Sequence, residues 1–305
     1  MRLYLLLVAC VFCLVATDAQ AGAINMSHDL VRLGIASQNL APNSPSLDAR
    51  PLFQATLQYV QSHSTITLVT LDRGAYYFHT PQKHITPKSP TGYYLSLPSL
   101  ANLTIDLTGS TIYFAHAFLH GFYLEDCQNV TLTNFKTDFL KPPYTYVQLE
   151  GIDPTARTLT YKKLPRWPDP KNFKAPAEAD VVLWAVAFRN GDIVPGTSRM
   201  NVAQPITSPV LSLNTPLNTA HWTQSATLAT LQPGDIIAVT QRGGGQPVRT
   251  YGGDSLRISH ATIYGGSTMG VLFMMVSNST AENVQVIPQT HLRQLQKNSF
   301  GLLIG

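Results

Sequence analysis

One short phrase constrains this chain more than any other feature. It is a small polar residue followed by alternating apolar and polar side chains, and it occurs four times. Asn102-Leu103-Thr104-Ile105-Asp106-Leu107 returns as Asn129-Val130-Thr131-Leu132-Thr133-Asn134. Leu256-Arg257-Ile258-Ser259 is followed, at nearly the same spacing, by Val284-Gln285-Val286-Ile287. Alternation rich in β-branched residues and closed by Gly109 or Asn134 marks a half-buried strand. A strand that recurs at a fixed period of a few tens of residues is the mark of a solenoid. The two pairs therefore predict an all-β chain built as one right-handed parallel β-helix, interrupted in the middle.

Composition agrees with such a fold. Only 12% of the 305 residues are charged and 44% are hydrophobic, against about 25% charged in an ordinary soluble domain. The net charge of +4 comes without a Lys/Arg cluster, which argues against a nucleic-acid partner. Residues 1–21 read as a signal peptide: Arg2, the apolar run Leu3 to Ala16, then Ala19-Gln20-Ala21 as a small-x-small cleavage site. A lipoprotein reading at Leu7-Val8-Ala9-Cys10 is weaker, because the apolar run continues past Cys10. No later run reaches the about 18 apolar residues of a membrane span. The expected location is the periplasm or the medium. Removal of Cys10 and Cys13 with the leader leaves Cys127 alone, unable to form an internal disulfide and placed to point into the stack.

The expected organisation is a signal peptide at 1–21, an N-terminal cap and first rungs at 22–140, an inserted β-rich domain at 141–253, and resumed rungs at 254–305. The cap is an amphipathic helix within residues 44–63, with Leu52, Phe53, Leu57 and Val60 on one face and Ser46 or Asp48 as its cap. Ile66 to Val69 and Asp72 to Phe78 form the first rung. The stretch 141–253 holds 13 of the 21 prolines, a density that excludes regular parallel rungs. Its strand-like runs favour an antiparallel lobe grown from a solenoid loop, since loop closure costs only about 0.6 kcal/mol per doubling of length. Asn-x-Ser/Thr triplets occur at Asn25, Asn102, Asn129 and Asn278. At Asn102 and Asn129 they open strand phrases, where a turn-forming asparagine is expected without any sugar.

The segments Gly121 to Tyr144, Val147 to Asp153 and Asp254 to Pro288 resemble secreted carbohydrate-active proteins of the right-handed parallel β-helix, or pectin-lyase-like, superfamily. Within it they look closest to the bacterial α-1,3-galactosidases, whose coil carries an inserted β-barrel-like domain. The resemblance implies a glycoside hydrolase acting on a polysaccharide or oligosaccharide. It also implies an Asn-Ala-Asp-Gly-like motif after Pro288, where this chain has Asn298-Ser299-Phe300-Gly301, with phenylalanine in place of the acid. The polygalacturonase set is missing too; Arg257-Ile258-Ser259 is only an echo of its Arg-Ile-Lys. Two resumed rungs and an uncapped ending suggest a chain truncated at its C-terminus, and a poor glycosidase.

Glycoside hydrolysis needs two carboxyl groups about 5 to 5.5 Å apart for retention or about 6.5 to 9.5 Å apart for inversion. The acids on rungs or their edges are Asp106, Glu125, Asp126, Asp138 and Asp254. Asp138 and Asp254 flank the insertion and are the candidate catalytic pair. His116 and His120 have metal spacing only on a helix, so in this strand context no metal is expected, and no motif asks for a cofactor. Tyr76, Tyr77, Tyr93, Tyr94, Tyr113, Tyr123, Tyr144, Tyr146 and Trp167 are candidates for stacking on sugar rings. A lyase would need clustered acids, and the seventeen in the chain are thinly spread. Two readings remain open: an exported glycosidase, and a non-catalytic glycan-binding or adhesin-like β-helix.

Overall fold

A computed structural model describes residues 22–82, 92–117, 119–141, 144–165, 167–172, 182–197, 200–203, 206, 208–213, 228–242, 245–264 and 270–287. The expected leader and the positions around Phe300 lie outside the described residues. Two short β-strands and two helices open the chain in the order β1 (Ala23–Asn25), α1 (Asp29–Arg32), α2 (Arg50–Ser62) and β2 (Leu68–Thr70). They lead into β3 (Ala75–Phe78), β4 (Tyr93–Pro98), β5 (Ala101–His116) and β6 (His120–Lys141). A second group follows: β7 (Tyr144–Asp153), β8 (Thr158–Lys163), β9 (Val182–Arg189), β10 (Asp192–Ile193), β11 (Met200–Val202), β12 (Val210–Ser212) and β13 (Ile236–Arg242). The last four are β14 (Val248–Asp254), β15 (Arg257–Tyr264), β16 (Val271–Met274) and β17 (Thr280–Ile287).

The strands sort into two sheets with opposite habits. β1 to β6 and β14 to β17 make a ten-stranded sheet in which every pairing is parallel. Its register is that of a coil. Ile24, Val69, Ile105, Leu132, Ile258 and Ala281 lie side by side on one face, each on a successive turn. Around the next bend Phe78, Phe114 and Phe139 do the same. On the third face Leu95, Phe122, Val248 and Val271 are stacked. Period-2 alternation turns these columns inward, and all of them but the half-buried Ala281 belong to one buried core. The architecture is a parallel β-helix.

The bends are cut by residues in the left-handed region. Asn102, Asn129, Ser255 and Asn278 share one corner, with φ of 52°, 50°, 56° and 50°. Asparagine tolerates that conformation because its short amide can bond locally. The Asn129 amide donates to the Asn102 carbonyl at 2.9 Å, so three of the Asn-x-Ser/Thr asparagines are corner residues of the coil. Asn134, His260 and Asn283 cut a second corner in the same way, with φ of 56°, 50° and 53°.

α2 covers the open N-terminal end of the stack. Leu52, Phe53, Leu57 and Val60 join the coil's core, and the Phe53 ring lies 5.2 Å from that of Phe78. The expected side-chain cap is not the one adopted. Ala49 is the N-cap and makes no side-chain bond. Asp48 instead receives the N–H groups of Arg50, His79 and Thr80, tying the helix start to the end of β3.

Two sequence-based expectations shift in register. The last turn of the coil is shorter than the spacing of the phrases implies, since Arg257 pairs with Thr280 and not with Gln285. Val284 and Val286 lie beside Ala261 and Ile263 on the next face. Their alternation fits either face, and only the Asn278 corner fixes which one they occupy. The coil also resumes before Asp254: Val248 already pairs with Phe122. β14 was hidden because Gly243-Gly244-Gly245-Gln246-Pro247 reads as loop and the strand's own alternation is brief.

β7 to β13 form a seven-stranded sheet in which every pairing is antiparallel. It has a core of its own, including Val147, Leu149, Leu159, Leu183, Ile237 and Val239. The lobe leaves the coil at Lys141, which pairs with His116. It returns at Gln246 and Pro247, whose carbonyls accept from the N–H groups of Gly121 and Phe122. Departure and return thus meet the coil close together, at the end of β5 and the start of β6.

Candidate functional site

The two acids expected to act together are not brought together. Asp254 sits beside Gln128 of β6, while Asp138 lies farther along β6, past the Asn134 bend, beside Tyr113. Because the coil resumes at Val248, Asp254 is already well around the turn and faces a different side. Its carboxylate accepts from the Ser255 hydroxyl at 2.7 Å and the Asn278 amide at 2.8 Å. Those donors, Ser255 first, hold its pKa below the usual carboxylate range. These bonds tie the carboxylate into the corner formed by Ser255 and Asn278.

Asp138 has a more informative setting. On the outward side of its face, Tyr77, Tyr113 and Asp138 occupy successive turns of the coil. Tyr264 follows Ile263, the ladder partner of Thr137, and so extends the column to a fourth turn. All four are half-buried. The Tyr77 and Tyr113 rings stack at 5.2 Å and 12°, and His79 continues the stack beside Tyr77 at 6.1 Å. The Tyr113 phenol is pushed up by burial first, then by Asp138, Tyr77 and Tyr264. Asp138 accepts the N–H of Phe139 at 2.7 Å. Lys136 stands two positions earlier on the same outward side, also half-buried. The result is a column in which one carboxylate stands between Tyr113 and Tyr264, with the Lys136 amine beside it. Tyr264 was not among the sequence candidates; its signal was the alternation running on from Arg257.

The remaining candidates have structural work. His120 is buried and fastens the lobe's return: its Nδ1 accepts from the Gln246 N–H at 2.9 Å and its Nε2 lies 2.8 Å from Arg249 Nη1. Burial first and Arg249 second hold its pKa down at about 3. Arg249 rests over the Tyr123 ring, 5.8 Å from its centroid, and Tyr123 stacks on Tyr93 at 5.2 Å. Tyr123 and Tyr93 are buried, which removes them from the sugar-stacking candidates. Tyr76 and Tyr94 are buried too, their hydroxyls used by the Asp72 carbonyl and the His116 N–H. Asp106 accepts from the Thr108 N–H and the Asn134 amide, and Asp126 is an exposed corner residue with φ of 51°. Glu125 is half-buried beside Tyr251 on the third face. Among the described residues no group of three or more His, Cys, Asp or Glu is placed to hold a metal ion. No described helix is long and apolar enough to cross a membrane.

No protein-family model matches the chain, and no curated protein matches it. The expected kinship with bacterial α-1,3-galactosidases is therefore not supported. Among solved structures the chain is similar to the Gp54 tailspike of Acinetobacter baumannii bacteriophage AP22, a structure in complex with A. baumannii capsular saccharide. The identity is 12% and the TM-score 0.25, over 85% of this chain and 36% of the tailspike. The chain thus spans little more than a third of that protein's length. A likeness at this score carries no argument about function, and the parallel β-helix rests on the register described above.

Proposed function

We propose that this protein is an exported glycan-binding β-helix, and that it holds saccharide along the Tyr77, Tyr113, Asp138 and Tyr264 strip. The export part rests on the leader-like residues 1–21. The binding part rests on one observation: four half-buried side chains on successive turns, three of them tyrosines, aligned on the outside of the coil. Tyrosine combines an apolar ring with a hydroxyl. A sugar likewise combines C–H faces with a hydroxyl rim, so rings and an adjoining carboxylate suit it on both counts. Binding is favoured over hydrolysis because Asp138 and Asp254 lie on different faces of the coil, whereas cleavage needs two carboxyl groups across one bond.

Calorimetry against a panel of neutral and acidic oligosaccharides tests the proposal. At least one should bind, and Tyr113→Ala should weaken it by about tenfold, the range of a single well-packed aromatic contact. Aryl α-galactosides should not be hydrolysed above background between about pH 4 and 8, where carboxyl catalysts titrate. Binding that ignores Tyr113→Ala and Asp138→Asn together would remove the strip as the site. Turnover abolished by Asp254→Asn would instead make this a glycosidase.

A further inference from the structure

The outward column of Tyr77, Tyr113, Asp138 and Tyr264 breaks its own pattern at one step. Tyr77 stacks on Tyr113 at 5.2 Å with 12° between their planes, so one face of the Tyr113 ring is covered. Beyond Tyr264 the next turn places Ile287, its ladder partner. The turn between the two tyrosines carries Asp138 beside Tyr113, and an aspartate side chain is much shorter than a phenol ring. Tyr113 and Tyr264 are thus two turns apart, about 10 Å at the usual strand spacing. The Tyr113 phenol, raised by burial first, is raised also by Asp138, Tyr77 and Tyr264, which places all three close to its hydroxyl. Two residues either side of Asp138 on the same outward side stand Lys136 and Leu140. Lys136 is half-buried between Thr111 and Thr262 of the neighbouring turns. Leu140 is an exposed large apolar side chain, 43% accessible.

We propose that this step is a slot that seats one pyranose ring between Tyr113 and Tyr264, above Asp138. The inference rests on the glycan-binding reading above and fixes where in the strip a sugar unit enters. Asp138 makes the slot by its shortness, whatever else its carboxylate binds. Carbon contacts of about 3.5 to 4.0 Å on each side take up about 7 to 8 Å of the gap and leave about 2 to 3 Å for the ligand's own thickness. A flat aromatic ring has no such thickness, whereas a puckered pyranose with its axial atoms does. The slot therefore suits a saturated sugar ring, whose C–H bonds project from both faces towards the tyrosines. Its rim meets the Lys136 ammonium, which carries three donors, on one flank. On the other flank Leu140 gives an apolar side chain in contact with solvent a role.

Asp138→Tyr tests the slot on the full chain, because a tyrosine there would continue the stack and fill the gap. Calorimetry against the same panel of neutral and acidic oligosaccharides, with tetrasaccharides of galactose, glucose and mannose among them, should show binding to the native protein. Asp138→Tyr should weaken it by at least about tenfold without lowering the melting temperature. A sugar lying along the outer edge of the strip would gain or keep affinity from an added tyrosine, so unchanged or tighter binding overturns the slot and leaves the strip standing. Proton NMR of the bound saccharide uses the unaltered chain and decides the question even if the variant misfolds. Ring currents should move C–H protons on both faces of one sugar unit upfield; shifts confined to one face, or none, overturn the slot alone. Failure of every saccharide to bind overturns both slot and strip.

Discussion

Cys127 and His120 show how one residue's surroundings set its chemistry. The Cys127 thiol lies in the coil's core and points its proton at the Leu97 carbonyl, 2.9 Å away. Burial pushes its pKa up to about 11, which leaves about one thiol in a thousand ionised at pH 8. We therefore expect native protein to resist a thiol reagent at pH 8 and to react within the mixing time once unfolded in urea; rapid reaction of the folded chain would contradict the burial. His120 faces a backbone N–H on one side and a guanidinium on the other, so a second ring proton would meet another donor. Its folded pKa of about 3 lies below the about 6.5 of an unfolded chain. The unfolded chain then binds the extra proton throughout that interval. Stability should fall as pH drops from about 6.5 towards 3, by up to about 1.4 kcal/mol per pH unit from this residue. Urea unfolding at several pH values checks this, and His120→Gln should lose that part of the slope. The inert cysteine was legible in the sequence, because its phrase position points it inward. The histidine was not, since its partners Gln246 and Arg249 lie on the far side of the inserted lobe in sequence.

Columns, not single strands, are the unit that holds the coil. Phe114 shows this best: its ring lies 5.5 Å from Phe78, 5.5 Å from Phe122, 6.0 Å from Phe139 and 5.3 Å from Tyr94. It ties neighbouring turns together and also joins two faces. Truncation there opens a void that no single neighbour can fill, so Phe114→Ala should cost about 3 to 5 kcal/mol. Phe114→Leu, which keeps most of the volume, should cost less. Equilibrium denaturation gives both values, and a loss below about 1 kcal/mol for the alanine variant would mean the column is not close-packed. The strand phrases and their inward residues could be read from alternation alone. The register of the last turn could not. Period 2 says which residues point inward but not which face a strand occupies, so alternation alone places Val284 and Val286 on the wrong face, while Asn278, the corner that sets the frame, stands out in the sequence only as an Asn-x-Ser/Thr triplet. The site was less legible still. Asp138 was found because it precedes the insertion, but its neighbours Tyr77, Tyr113 and Tyr264 come from strands scattered along the chain.

At the scale of the whole molecule, the coil and the lobe have separate cores, and the chain passes between them at one place. Lys141 pairs with His116, and Gln246 binds Gly121 and His120, so both crossings meet the coil where β5 ends and β6 begins. Gly245 lies so close to the start of β6 that a Cβ on it would stand 1.9 Å from the Leu119 carbonyl carbon. A coil that continues stacking on both sides of an excursion does not need the excursion for its register. Val248 pairs with Phe122 and Val271, and Ile258 with Leu132 and Ala281, without any lobe residue in the column. Replacing residues 142–244 by a short Gly/Ser linker should therefore leave a folded coil, since closing a shorter loop costs no more than closing the long one. The shortened chain should keep its β-sheet circular dichroism and a cooperative unfolding transition, with the Gln246 clasp on His120 retained. It should also lack tryptophan emission altogether, because Trp167, Trp184 and Trp222 leave with the lobe. If the Tyr113 strip is the site, saccharide binding should survive. An unfolded or aggregated product would show instead that the lobe covers coil surface that cannot be left in water.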